Sequence, residues 1–136
     1  MNIPQENKVV LIVEDERPLS EAIKIKLAKR GFDTVVARAV NQALEYLKDG
    51  VEINAIWLDH YLLGKENGLD FVAKVKEEES SWRNIPIFVV SNTASPEKMQ
   101  AYLRMGAQKF YVKSNFKLED IINDICATLK VNCEII

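Results

Sequence analysis

Four apolar runs that do not alternate limit what this chain can fold into. They are Val9-Val10-Leu11-Ile12-Val13, Ile53-Asn54-Ala55-Ile56-Trp57-Leu58, Ile87-Phe88-Val89-Val90 and Phe110-Tyr111-Val112. A strand with one wet face alternates apolar and polar side chains. Runs that are apolar throughout have the pattern of parallel strands covered on both faces.

Helical stripes separate the runs. Leu19, Ala22, Ile23, Leu27 and Arg30 follow a 3–4 spacing, with Pro18 inside the start and Gly31 past the end. Ala39, Ala43, Leu44 and Leu47 form a second stripe, closed by Asp49-Gly50, and Leu69, Val72 and Val75 a third. The fourth takes Ser95 as N-cap, Pro96 as first helical residue and Gly106 after its end. The fifth runs from about 117 to 130, with Leu118, Ile121, Ile122, Ile125 and Leu129 inward. With Thr34-Val35-Val36-Ala37 as second strand, the chain reads as (βα)5. Right-handed crossovers leave few topologies, led by a doubly wound, flavodoxin-like α/β sheet in the order 2-1-3-4-5.

Each apolar run stops at a polar group. The first ends at Glu14-Asp15, the next at Asp59, then come Ser91 and Lys113. In a parallel sheet these five side chains share the carboxyl edge, where open α/β sheets bind ligands. The order 2-1-3-4-5 makes strands one and three neighbours, so Asp15 and Asp59 meet at the crevice. The loop Glu14-Asp15-Glu16-Arg17-Pro18 has no glycine with which to cradle a phosphate. Carboxylates repel phosphate unless a cation stands between. Two like charges ~4 Å apart repel by about 4 kcal/mol at an effective dielectric of ~20. Three acids against Lys113 therefore call for protons or a divalent ion. Oxygen-only ligands suit Mg²⁺ or Mn²⁺, and no Cys or second His is at hand for zinc.

Composition narrows the partners. The 136 residues suit a single domain over 1–136, with a core at 8–130 and a short tail at 131–136. A formal charge of −2 gives no basic field, so no direct nucleic-acid contact is expected. The N-terminus lacks a signal-peptide pattern, and no apolar run nears the ~20 residues of a membrane helix. Cys126 and Cys133 have neither CxxC nor metal-ligand spacing and are expected as reduced thiols in a cytoplasmic protein. His60 adjoins Asp59 in sequence, so its side chain is expected to point away, toward the surface.

The ordered set of acidic pair, Asp, hydroxyl and lysine, each ending a strand, resembles the receiver domain of two-component response regulators. The resemblance spans nearly all of 8–130. It implies that Asp59 accepts a phosphoryl group from the phosphohistidine of a sensor histidine kinase or phosphotransfer protein. Asp15, Asp59, Glu14 and the Tyr61 carbonyl would then hold Mg²⁺, Lys113 would pair with phosphoryl oxygens, and Ser91 would donate to them. Phe110 occupies the aromatic switch position. The surface of the fourth helix, fifth strand and fifth helix would meet a downstream protein target or form a homodimer, with Arg104 and Tyr111 adding to it. Such a domain is not expected to be an enzyme with a separate substrate. With only 131–136 after the fifth helix, the chain is expected to be either a single-domain regulator acting by protein contact or a piece of a longer regulator or hybrid kinase.

The chain departs from that pattern at three places. Leu63 stands where the family has proline, Asn92 follows Ser91 where a small residue is usual, and Ser114 replaces the proline after the lysine. The last change favours a trans Lys113–Ser114 bond. Tyr61 and Thr93 are expected to edge the pocket and govern water attack. Two rivals remain open. A pseudo-receiver would keep the fold as a phosphorylation-independent interaction module. A haloacid-dehalogenase-type phosphohydrolase would need an Asp-x-Asp pair and further acids that Glu14-Asp15-Glu16 and Ser91-Asn92-Thr93 do not supply.

Overall fold

The computed structural model describes residues 7–92 and 95–133. Thr93 lies outside these, so its expected place at the pocket edge has no structural account. The strands are β1 (Val9–Val13), β2 (Asp33–Ala37), β3 (Ala55–Leu58), β4 (Ile87–Ser91) and β5 (Lys109–Val112). The helices are α1 (Arg17–Ala28), α2 (Val40–Lys48), α3 (Gly68–Val75), α4 (Pro96–Arg104) and α5 (Leu118–Leu129). All four strand pairings are parallel, in the order β2-β1-β3-β4-β5. The expected topology is the observed one.

The non-alternating runs are explained by what covers them. Successive strand residues point to opposite faces. Leu11, Val13, Ile56, Leu58, Ile87 and Val89 pack with Leu44 of α2, Phe71 of α3 and Tyr102 of α4. Val10, Ile12, Ala55, Trp57, Phe88 and Val90 pack with Ile23 of α1 and Ile122 of α5. Both faces are dry, so β3 and β4 are buried at every position.

Several helix signals act as the sequence suggests. The Ser95 hydroxyl accepts the Lys98 amide, with Pro96 at the first turn of α4. Asn67 and Asp70 form a reciprocal capping box on α3, with side-chain to amide distances of 2.8–3.2 Å. No cis peptide occurs among the described residues, so Lys113–Ser114 is trans as expected.

Other expectations need correction. β3 begins at Ala55 rather than Ile53, because the Asn54 side chain accepts the Val9 amide at 2.7 Å and anchors the strand's entry. α1 ends at Ala28, and Arg30 lies beyond it, donating to Asn123 Oδ1 and to the Cys133 carbonyl. Tyr111 is not a surface residue. It is 3% exposed, and its hydroxyl donates to Asp124 Oδ2 at 2.6 Å.

Cys126 and Cys133 are joined in a disulfide, contrary to the expectation of two thiols. α5 closes on Lys130 in the left-handed conformation, φ 56°. The chain then doubles back, the Val131 amide donating to the Cys126 carbonyl at 3.1 Å. That reversal brings together two cysteines seven positions apart, a spacing that helical periodicity does not pair.

Candidate functional site

The acidic crevice follows from strand register. Val13 of β1 lies opposite Leu58 of β3, and the Asp59 amide donates to the Val13 carbonyl at 2.9 Å. Glu14 and Asp59 therefore leave adjacent strands side by side. With Asp15, they offer three carboxylate oxygens within 4.8 Å of one another. Glu14 is 1% and Asp59 6% exposed, whereas Asp15 is half-buried.

Lys113 enters from the far side. Ser91, fully buried at the end of β4, pairs in register with Val112, one residue before the lysine. Lys113 Nζ stands 3.1 Å from Glu14 Oε1 and 3.6 Å from Asp59 Oδ1. The sheet order thus gathers residues from positions 14 to 113 on one edge.

The acids are not helix caps. The N-cap of α1 is Glu16, whose side chain makes no cap hydrogen bond. Burial sets their charge instead. It raises the Glu14 carboxyl to about 7, the nearby Asp59 charge adding to this and Lys113 opposing it. Asp59 is also raised by burial, while Lys113, a hydrogen bond with Glu14 and the His60 amide pull it back. One ammonium does not neutralise this cluster. Hard oxygen donors in that state suit a small divalent cation such as Mg²⁺ or Mn²⁺.

The remaining predicted residues are placed as follows. Tyr61 is 55% exposed, and its ring lies 4.8 Å beneath the Lys98 ammonium. Asn92 is exposed. Phe110 is half-buried, its ring centroid 5.7 Å from that of Tyr102.

His60 corrects a sequence expectation. It is 7% exposed rather than at the surface, with Nδ1 2.6 Å from the Tyr102 hydroxyl. Alternation does turn it away from the Asp59 side chain, but α4 covers that face of the sheet. Burial lowers the His60 pKa and raises that of Tyr102, so both are neutral partners at pH 7. The apolar stripe of α4 gives Tyr102 a reading mostly as core and partly as an interaction face, not as a partner of His60. A polar aromatic in the α4 stripe and a lone histidine after an acid were its only signals.

Together, these elements make a flavodoxin-like α/β domain with an acid–lysine–hydroxyl cluster at the carboxyl edge of its sheet. The family model of the response regulator receiver domain matches residues 10–125, and the chain belongs to that family, a signalling domain of two-component systems. It is 30% identical over 128 residues to an NtrX-like response regulator of Rickettsia conorii, covering 92% of this chain and 26% of that protein. The chain spans between about a quarter and half of the length of the curated relatives it matches. Among solved structures, the receiver domain of Francisella response regulator 1452 superposes with a TM-score of 0.80 at 22% identity, covering 91% of this chain and 98% of that one. The Mn²⁺-bound form of response regulator Rcp1 gives a TM-score of 0.75 at 21% identity, covering 95% and 96%. Among the described residues, no helix is long and apolar enough to cross a membrane.

Proposed function

We propose that Asp59 is the phosphoacceptor of a Mg²⁺-dependent transfer, Mn²⁺ serving as a substitute. The observation that carries this is the convergence of Glu14, Asp15 and Asp59 within 4.8 Å, with Lys113 Nζ against two of them. The donor is the phosphohistidine of a sensor histidine kinase or phosphotransfer protein. An Asp59 carboxylate oxygen forms a bond to phosphorus as the phosphorus–nitrogen bond breaks, and the freed imidazole takes up a proton.

Glu14, Asp15, Asp59 and the Tyr61 carbonyl would hold the cation. When bound it supplies neutralising charge to the phosphoryl oxygens. A manganese-bound relative of the same fold supports that choice. Lys113, already within reach of Asp59, exchanges its carboxylate partners for a phosphoryl oxygen. Ser91 donates its hydroxyl to another. In a loose transition state, catalysis of this kind is positioning and charge neutralisation.

Phosphorylation adds about −1 to −2 of charge to Asp59. In our reading this draws in the Ser91 loop and shifts Phe110, changing the surface of α4, β5 and α5 that meets a downstream protein or a second copy. The domain acts in the cytoplasm, without a substrate of its own to turn over.

Incubation with Mg²⁺ and acetyl phosphate, followed by intact mass, tests the assignment. The expected result is a single phosphoryl adduct on the wild type and none on Asp59→Asn. No adduct at all makes the chain a pseudo-receiver. An adduct that survives Asp59→Asn places the acceptor elsewhere.

A further inference from the structure

His60 makes two kinds of contact at once. Its backbone N–H donates to Asp59 Oδ1 at 2.9 Å. Its carbonyl accepts from the Gly68 amide at 3.0 Å. Its ring meets the Tyr102 hydroxyl of α4 through Nδ1 at 2.6 Å. The two rings cross at 84°, and Tyr102 is fully buried. Main chain holds the acceptor carboxylate, while side chain is held by α4.

Two observations make this a built contact. An imidazole nitrogen and a phenol withdrawn from water each need a partner, and each finds it in the other. Gly68, at the start of α3, supplies the room. Its φ is not in the left-handed region, so backbone geometry does not demand glycine there. Space does: a Cβ at Gly68 would overlap the Tyr102 hydroxyl and stand 3.0 Å from the Asp59 carbonyl oxygen and 3.2 Å from the His60 Cα.

We propose that Tyr102 is a positioning residue for the phosphoacceptor: through the His60 ring it fixes the peptide whose N–H orients Asp59. The proposal rests on the reading of Asp59 given above. Lys113 also approaches Oδ1, at 3.6 Å, but from a long flexible stem. The His60 amide is the short, rigid donor on that oxygen. Letting its ring turn tilts the peptide and rotates the carboxylate away from in-line attack. Misplacement on the ångström scale costs phosphoryl-type reactions orders of magnitude, and outer partners of reactive groups commonly act this way.

The test measures the rate of Asp59 phosphorylation by acetyl phosphate in the full chain, with Mg²⁺ and acetyl phosphate each varied to saturation. Tyr102→Phe keeps the ring and deletes the hydroxyl. Its maximal rate is expected to fall about tenfold, with both half-saturating concentrations within about twofold of wild type. His60→Leu falls similarly, and the double variant falls no further than either single one, because both break one connection. A purely structural contact would lower the urea midpoint and leave the maximal rate of folded protein unmoved, which overturns the proposal. So do additive losses in the double variant. If one of the two single variants fails to fold, the other carries the test alone, its maximal rate being read against wild type in the same way. A wild type that takes up no phosphoryl group fails the Asp59 reading as well. A responsive wild type with an unchanged Tyr102→Phe rate overturns this proposal alone.

Discussion

Replacing Glu14 by glutamine should make the metal-free domain more stable at pH 8 and leave it nearly unchanged at pH 4. Glu14 is 1% exposed, and burial beside Asp59 raises its pKa from 4.5 to about 7. A folded-state pKa above the unfolded value means that the native protein binds more protons between those limits. Stability then falls as pH rises through this window, from about 4.5 to about 7. At 1.36 kcal/mol per unit, the shift corresponds to about 3 kcal/mol lost by pH 8. Desolvation is the larger cause, and repulsion adds to it: two ionised carboxylates within 4.8 Å of one another repel by roughly 3.5 kcal/mol or more at an effective dielectric of ~20. Glutamine mimics the protonated acid and still offers an oxygen to Lys113. We therefore expect a gain of about 1–3 kcal/mol at pH 8 and less than about 0.5 at pH 4. Urea unfolding in EDTA, followed through Trp57, which is 1% exposed, reads both values. Saturating Mg²⁺ should stabilise the wild type at pH 8 more than the variant. A glutamine variant that is destabilised equally at both pH values would refute the charge argument.

Lys113→Ala removes the cation held 3.1 Å from Glu14 and 3.6 Å from Asp59, so metal-free stability at pH 8 should drop by roughly 3 kcal/mol. Mg²⁺ affinity by calorimetry should rise several-fold, because a competing positive charge is gone, while phosphorylation slows. Asn67→Ala deletes the capping box of α3 and should cost about 1 kcal/mol in urea unfolding, with no change in Mg²⁺ affinity. Reducing the Cys126–Cys133 bond frees a short loop, which chain entropy values at roughly 2.5 kcal/mol. Dithiothreitol should lower the wild-type Tm by several degrees and leave Cys126→Ser/Cys133→Ser unaffected.

The strands and the site were legible for the same reason. A doubly covered parallel sheet needs unbroken apolar runs, and its carboxyl edge is where each run must stop. Glu14, Asp59, Ser91 and Lys113 therefore announced themselves as the first polar residues after buried strands. Contacts between distant elements were not legible. Nothing near His60 in sequence shows that α4 covers its ring, and nothing near Cys133 shows that Lys130 reverses the chain. Tyr111 was misplaced because β5 is an edge strand whose residues face α5 as much as solvent, and Asp124 of that helix takes its hydroxyl.

The unfavourable placement of the acids also bears on function. Val13 and Leu58, the residues just before Glu14 and Asp59, are wholly buried, and burial of such side chains stabilises by about 1.5–3 kcal/mol each. Their combined contribution is comparable to the Glu14–Asp59 repulsion of about 3.5 kcal/mol. The sheet core thus holds apart from water a charge cluster that would disperse if it stood on a loop. A cation or an added proton relieves the same strain, so occupancy at the edge is coupled to the stability of the strands that carry it. Glu14 and Asp59 directly follow the interior strands β1 and β3, so the coupling reaches both faces of the core. If it operates, Mg²⁺ should slow amide exchange in β1 and β3 more than in the edge strand β2, and uniform protection across the sheet would contradict it.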